Sequence, residues 1–175
     1  MPPSILDRFD DALYDDLRQI ARRHLRRERS DRTMMTTELV HEAFLRLRHQ
    51  AVVDGSSRTA FLRGAASVMR YVLVDHARQR QAAKRGGERV QVTLDDALAA
   101  VDDDFGFILT LDDVLGRFAK LSPRAAQVVE CRFFAGMNED ETAAALGVTS
   151  RTVRRDWIKA KGWLYDALQP AFDLR

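Results

Sequence analysis

The sequence predicts an all-α fold with two small helical domains, an N-terminal helical bundle and a C-terminal helix-turn-helix domain, joined by an acidic linker. Three observations predict this class. Apolar residues recur at three- and four-residue steps along most of the chain, which places them on one face of a helix. That periodicity stops over residues 89–106, where aspartates accumulate. A glycine turn between two segments with capping residues follows near the C-terminus. We therefore predict domains at 1–88 and 107–175.

Composition excludes several classes of protein. The chain has 175 residues, of which 46% are apolar and 31% charged, enough to build hydrophobic cores. Its apolar runs fall far short of the roughly 18 residues that a membrane span requires, so no membrane partner is expected. The first residues show no basic leader, and a secretory signal is not expected. The single cysteine, Cys131, excludes an intrachain disulfide, and a cytoplasmic location is expected.

Three amphipathic helices are predicted in the bundle domain, residues 1–88. Their apolar stripes cover residues 5–25, 39–47 and 61–76. Thr36 or Thr37 is the predicted N-cap of the second helix. Ser57 is the predicted start of the third helix, and Gly86-Gly87 its end. Each helix has one apolar face to bury, so the three can close a bundle.

The stretch 89–106 is interpreted as an extended linker with one helical turn near Asp95 to Ala100. Helical periodicity returns at Ile108. Ser122-Pro123 predicts a further helix start, because serine caps and proline at the first helical position loses no hydrogen bond. That helix is expected to reach about Phe134 and to end at Gly136.

The most specific local pattern follows Gly136. Asn138 and Glu141 have the spacing of a capping box and predict a short helix. Gly147 supplies the left-handed residue that commonly ends a helix. Thr149 or Ser150 can then cap a second helix that reaches about residue 168. This order of a short helix, a glycine turn and a longer helix is that of a helix-turn-helix.

The second helix of this motif has a basic outer face. Ala143 and Val153 have the small and branched side chains that the helix crossing requires, and Trp157, Ala160 and Leu164 continue the apolar stripe. The polar residues left outside are Arg151, Thr152, Arg154, Arg155 and Lys159. The first turns of a recognition helix reach base edges and phosphates in the major groove, so this face predicts DNA binding. A helical hairpin within a core would explain the stripe but not the cations.

Charge is segregated along the chain. Seven arginines lie between Arg18 and Arg32, and six Lys or Arg between Arg70 and Arg89. Seven aspartates and no basic residue lie in 90–116, before the basic residues at 151–161. The basic stretches indicate a polyanionic partner more clearly than the net charge of +2 does.

The motifs together resemble bacterial RNA polymerase sigma factors of the extracytoplasmic-function type. Thr37–Leu47 is similar to the family helix that docks on the polymerase clamp. Arg70–Arg80 is similar to its promoter-melting helix, and Lys84-Arg85-Gly86-Gly87 to one of its subgroups. Residues 140–153 are similar to the helix-turn-helix that contacts the upstream, or −35, promoter element. The resemblance covers nearly the whole chain.

The resemblance implies a factor that binds core RNA polymerase and directs it to promoters, without being an enzyme and without a cofactor or metal. Core RNA polymerase and promoter DNA are the implied partners, and an anti-sigma factor is left open. For core binding it points to Glu38, His41, Glu42 and Leu45. For the −35 element it points to Ser150, Arg151, Thr152, Arg154, Arg155 and Lys159. For melting and reading of the −10 element it points to Arg58, Arg70, Tyr71, Arg78, Arg80, Lys84 and Arg85.

Several alternatives stay open at this point. A DNA-binding regulator with a dimerising bundle would act without polymerase core. An enzyme could use His41-Glu42 and Asp75-His76 as a metal-dependent phosphohydrolase site, although a metal usually needs three or four converging ligands. Tyr71 is either a stacking platform for an unpaired base or a half-buried packing residue. The linker aspartates are either a solvated spacer or contacts to the basic helices. They are Asp95, Asp96, Asp102, Asp103 and Asp104.

Overall fold

The computed structural model describes residues 5–24, 32–49, 58–86 and 104–173. These residues form seven α-helices and no strand, which confirms the all-α prediction. The helices are α1 (Ile5–His24), α2 (Arg32–His49), α3 (Arg58–Gly86), α4 (Asp104–Leu121), α5 (Pro123–Val129), α6 (Glu139–Leu146) and α7 (Ser150–Asp173). A π-helical segment, Glu130–Phe134, continues α5. None of the helices in these described ranges combines the length and the hydrophobicity of a membrane span.

The first three helices pack on one another through their predicted apolar stripes. Leu17 of α1, Leu39 and Leu47 of α2, and Met69 and Leu73 of α3 are all fully buried. The bounds of α1 and α3 agree with the sequence prediction.

The predicted start of α2 is wrong. The helix begins at Arg32, so Thr36 and Thr37 lie inside it and neither is its N-cap. Threonine is compatible with a helix interior, because ordinary residues differ in helix propensity by less than about 0.7 kcal/mol. A residue type that favours caps therefore does not by itself fix a helix start.

The helices α4 and α5 begin the C-terminal half. The first of them begins at Asp104, inside the stretch interpreted as linker. Most of that stretch, including the turn predicted near Asp95 to Ala100, lies outside the described residues. Pro123 opens α5 as predicted, but the Ser122 side chain makes no capping hydrogen bond.

The chain stays helical as far as Phe134, as predicted, but the α-helix is replaced by a π-helix from Glu130 onward. The Ala135 N–H donates to the Glu130 carbonyl at 3.3 Å, the spacing of a π-helical turn. Gly136 follows with φ of 70° and ends the helix where the sequence predicts.

One hydrophobic core connects the two halves of the chain. Val74 and Ala77 of α3 belong to the same buried cluster as Ile108 and Leu111 of α4. Helix α3 packs against α4, the π-helical segment and α6. The domain bounds of 1–88 and 107–175 stay a prediction. The described helices of the two halves nevertheless pack closely in this structure.

Candidate nucleic-acid interface

The turn between α6 and α7 has the capped geometry that its sequence predicts. The Glu141 N–H donates to Asn138 Oδ1 at 2.8 Å, and the Asn138 N–H donates to Glu141 Oε2 at 3.0 Å, which completes the capping box. Gly147 ends α6 in the left-handed conformation, with φ of 65°. Thr149 is the cap of α7, since its Oγ1 accepts from the Thr152 N–H at 3.2 Å. Ser150 is the first residue inside the helix.

The inner faces of the two helices meet at a small apolar cluster. Val128 of α5, Ala143 of α6 and Val153 of α7 are buried together. A small side chain at Ala143 lets the helix backbones approach, and the branched Val153 fills the space between them. Farther along α7, Ala160 and Leu164 are buried in the main core, as predicted. This packing fixes which face of α7 is turned to solvent.

The outer face of α7 carries the predicted DNA-binding side chains. Arg151, Arg154, Arg155 and Lys159 are exposed, and Ser150 and Thr152 are partly exposed. These residues occupy the first three turns of the helix. The first turns of α7 therefore present an exposed face that is largely cationic.

Acidic residues at the start of α6 orient part of this face. Glu139 accepts from Arg154 Nη2 at 2.8 Å and from Arg154 Nε at 3.2 Å. This hydrogen bond lowers the pKa of Glu139 below its ordinary value. Asp140 accepts a hydrogen bond from the Ser150 hydroxyl. Glu139 and Asp140 were not predicted from the sequence, because their partners lie on the next helix and no local spacing pairs them.

A buried carboxylate places one more cation beside the recognition helix. Asp156 of α7 is only 5% exposed and accepts from Arg124 Nε at 2.6 Å. This ion pair raises the pKa of Arg124, chiefly through the hydrogen bond. Lys159 Nζ also lies 3.4 Å from Ser122 Oγ, so the start of α5 lies alongside α7. Arg124 therefore extends the basic surface of α7 onto a second helix.

The predicted −10 residues are all on α3 but have different surroundings. Tyr71 is 54% exposed, so about half of its surface is open to solvent. Arg78 is well exposed, with Nη2 3.8 Å from Asp112 Oδ2, and Arg80 is partly buried. Arg70 is held by two carboxylates of the C-terminal half. Arg58, Lys84 and Arg85 also belong to α3, but their side chains lie outside the described set.

The predicted core-binding residues form an outer face of α2. Glu38, His41 and Leu45 are exposed. Glu42 is not a free carboxylate, because Arg46 Nη2 donates to its Oε1 at 2.8 Å. The same guanidinium lies over the Tyr71 ring, 4.3 Å from its centroid.

Arg46 was not identified from the sequence. It joins the predicted core-binding face of α2 to Tyr71, the predicted stacking residue of α3. The two faces are therefore neighbours on one surface of the bundle.

The end of α1 makes a second polar contact with the C-terminal half. Arg23 donates to the Phe133 carbonyl, and His24 Nε2 lies 3.2 Å from the Phe134 carbonyl. The last carbonyls of a helix have no partner within it, which leaves these oxygens able to accept. Burial, followed by the nearby charge of Arg23, lowers the pKa of His24 to about 4 from its ordinary 6.5.

This shift predicts a loss of stability in mild acid. Because the pKa of His24 is lower in the folded state, the unfolded state binds more protons between about pH 6.5 and pH 4, so stability falls as the pH falls through that window. We expect the free energy of unfolding to drop by about 2 kcal/mol from neutral pH to about pH 5 on account of His24. Urea denaturation at the two pH values measures it. In His24→Gln, which cannot titrate but can still donate, the drop should shrink by that amount, and an equal drop in both proteins would contradict the assignment.

The described residues offer little support for a metal centre. They contain no group of three or more His, Cys, Asp or Glu side chains placed to hold a metal ion. His41 is exposed on α2, away from a converging set of ligands. The metal-dependent phosphohydrolase alternative therefore gains no support from this part of the chain.

The fold and the capped, basic turn between α6 and α7 define a helix-turn-helix DNA-binding protein. Comparison with known families identifies which kind of DNA-binding protein this is. A family model described as ECF sigma factor matches residues 7–170, and the chain belongs to this family. It is a sigma factor that directs RNA polymerase in transcription initiation. Neither a curated protein nor a solved structure gave a significant match.

Proposed function

We propose that this sigma factor reads the −35 promoter element with α7 and melts and reads the −10 element with α3, while α2 docks on the polymerase clamp. The observation that carries the proposal is the capped turn that places Arg151, Arg154 and Arg155 on the exposed first turns of α7. Arginine in this position can contact guanine edges with two hydrogen bonds or neutralise phosphates.

The assignment of α3 rests on its charge and its exposed aromatic ring. Single strands bind in cationic grooves with rings on which unpaired bases stack. Tyr71 offers such a ring, and Arg78 supplies an exposed cation on the same helix. The carboxylate face of α2 suits the docking role, because its charge can select a basic partner surface. Core polymerase and promoter DNA are the partners of this proposal, and the protein acts as a specificity subunit that catalyses nothing itself.

Reconstitution with core polymerase tests the proposed function directly. Holoenzyme assembled from the purified protein and core enzyme would transcribe a library of randomised promoters, and sequencing of the transcript starts would show which elements are selected. We expect two conserved elements at −35 and −10 spacing. A protein that binds operator DNA but neither binds core enzyme nor supports transcription would instead be a regulator that acts without polymerase.

The recognition helix gives a residue-level prediction. Replacing a base-contacting arginine among Arg151, Arg154 and Arg155 by alanine should cost roughly 1–3 kcal/mol and relax specificity at one −35 position. Loss of a phosphate contact should weaken all sequences alike and reduce the salt slope by about one unit. Selection from the promoter library and binding at several salt concentrations measure both effects.

Arg117 supplies the control for this series. It is an exposed arginine of α4 whose guanidinium Nε lies 3.5 Å from Asp113 Oδ2. Arg117→Ala should leave the selected −35 sequence and the salt slope unchanged. If Arg151→Ala, Arg154→Ala and Arg155→Ala all behave as this control does, α7 is not the recognition helix.

A further inference from the structure

Arg154, on the exposed face of α7, is paired with a carboxylate of the preceding helix. Its Nη2 donates to Glu139 Oε2 at 2.8 Å, and its Nε donates to the same oxygen at 3.2 Å. Glu139 is the first residue of α6, on the other side of the turn at Gly147. The side chain of Arg154 is 64% exposed and that of Glu139 only 29%. The carboxylate is therefore the covered member of the pair, and the guanidinium is the member open to a partner.

Glu139 is itself held from a second direction. Arg132 of the π-helical segment has its Nη1 3.9 Å from Glu139 Oε1. The Arg132 guanidinium lies over the ring of Trp157, 4.5 Å from its centroid, and this ring packs against the core. A cation placed over an aromatic ring is attracted to its face. A series of contacts thus connects the core to the surface, from Trp157 through Arg132 and Glu139 to Arg154.

The main consequence of the Glu139–Arg154 pair concerns the freedom of Arg154 and not the stability of the fold. Ion pairs open to solvent contribute little stability, because water and salt screen them. A long side chain that moves freely, however, loses its rotamer freedom when it binds a ligand. A guanidinium that is already held in one orientation loses less freedom, which favours the ligand whose geometry fits that orientation.

The carboxylate also determines which part of DNA suits Arg154. It accepts from Nε and from one N–H of Nη2, which are two of the five donors of a guanidinium. The second N–H of Nη2 and the N–H groups of Nη1 are left for a contact with two hydrogen bonds, which guanine accepts through O6 and N7. A phosphate carries a full negative charge that Glu139 repels, whereas a guanine edge is neutral. The geometry therefore favours a base over the backbone.

Arg155, the next residue of α7, has different surroundings. Its Nε lies 3.9 Å from Asp156 Oδ1, beyond hydrogen-bond distance, and its side chain is 73% exposed. The carboxylate of Asp156 is instead held by Arg124 Nε at 2.6 Å. No carboxylate hydrogen bond to Asp156 fixes the Arg155 guanidinium in one orientation. A cation of this kind suits phosphates, whose contacts position a protein on DNA without reading its sequence.

We propose that Arg154 reads a guanine of the −35 element and that Glu139 is its positioning residue, with Arg132 keeping Glu139 in place. The proposal rests on the proposed role of α7 in binding the −35 element. It goes further in choosing Arg154 among the arginines of α7 and in naming the base that it contacts. It also assigns promoter specificity to two residues outside the recognition helix, neither of which touches DNA.

Holoenzyme assembled from core polymerase and the full-length protein tests the proposal. Selection from promoters randomised over the −35 element first locates the base pair at which Arg154→Ala relaxes specificity, and we expect a G·C pair. Binding of labelled promoter fragments that carry each of the four pairs there then measures discrimination. Glu139→Gln keeps the shape of the side chain and removes its charge. We expect it to reduce this discrimination by at least about threefold, as for coupled neighbouring residues, and to leave other −35 positions unchanged.

A double-mutant cycle shows whether Glu139 acts through Arg154. In the Arg154→Ala background, Glu139→Gln should cause no further loss of discrimination. Asp140→Asn is the matched control for charge, because Asp140 is the next residue of α6 and accepts from Ser150. We expect it to keep the wild-type discrimination at the base pair that Arg154 reads. A folding defect would weaken binding to all fragments alike and would not imitate a loss at one base pair.

Several results would overturn the proposal and leave the proposed function intact. Equal weakening of all −35 sequences by Arg154→Ala would make Arg154 a phosphate contact, and selection of a pair other than G·C would contradict the named base. Equal discrimination by Glu139→Gln and Asp140→Asn would show that Glu139 does not position Arg154. A further loss in the Arg154→Ala background would show that Glu139 acts by another route.

The proposed function would fail in a different way. The alanine variants of Arg151, Arg154 and Arg155 would then all select the wild-type −35 sequence. That result would overturn the role of α7, and the base contact of Arg154 with it.

Discussion

Replacing Phe118 with alanine is expected to lower the free energy of unfolding by about 3–5 kcal/mol. Phe118 of α4 is 1% exposed and stacks on Trp163 of α7, with 4.9 Å between the ring centroids. Truncation removes the buried ring and leaves a cavity between these helices, which a close-packed core fills only in part. Because small proteins are stable by only about 5–15 kcal/mol, the loss should be evident in a urea denaturation curve.

Leu121 on the same helix provides the matched control. It is also a large apolar residue, but it is 69% exposed. Leu121→Ala should change the free energy of unfolding by less than about 0.5 kcal/mol, as is usual for surface substitutions. Equal effects of the two substitutions would mean that Phe118 does not pack between α4 and α7 as described.

Local sequence determines the helix-turn-helix, and this is why it could be predicted in detail. Asn138, Glu141, Gly147 and Thr149 each act on backbone groups within a few residues of themselves. Capping and left-handed turns depend on side chains at fixed short offsets. The outward face of α7 then follows from helical periodicity, which also assigns Val153 and Ala160 to the buried side.

Contacts between distant residues could not be predicted in this way. Arg70 meets Asp112 and Glu130 across 42 and 60 residues of sequence, and no periodicity relates them. From the sequence, Arg70 is one cation of a basic stretch and a predicted residue for the −10 element. In the structure, its guanidinium lies between the carboxylates of Asp112 and Glu130. Likewise, no local pattern identifies Glu139, whose carboxylate accepts from Arg154 on the following helix.

The π-helical segment illustrates a further limit of periodicity. Its turn changes the hydrogen-bond spacing without adding a glycine or proline that would mark the change. The Phe133 and Phe134 carbonyls at the end of this segment lie within hydrogen-bond distance of Arg23 and His24 of α1. Glu130, in the same segment, reaches Arg70 of α3. One short irregular segment thus supplies partners to two of the three helices of the N-terminal half, α1 and α3.

Charge reversal at Glu42 is expected to weaken the association with core polymerase by roughly a hundredfold, since like charges facing each other at an interface cost several kcal/mol. We expect the Glu42→Lys variant to keep the wild-type fold. Glu42 is partly exposed and its described partner is Arg46 on the next turn of α2, and a like-charge pair at this spacing costs only about 0.2–0.5 kcal/mol. Binding of labelled Glu42→Lys to core enzyme measures the first effect, and thermal unfolding the second.

Asp113→Lys is the control that distinguishes the loss of a docking contact from a general effect of net charge on binding to core enzyme. Asp113 is an exposed carboxylate of α4, far along the chain from α2, and its reversal changes the net charge by the same amount. We expect this control to bind core enzyme as the wild type does. The Glu42→Gln variant gives an internal check, because it removes the ion pair with Arg46 without adding a positive charge. If Glu42→Gln weakens binding as much as Glu42→Lys, the carboxylate itself is the contact. If Glu42→Lys and Asp113→Lys both bind as the wild type does, α2 does not dock on the polymerase through this face.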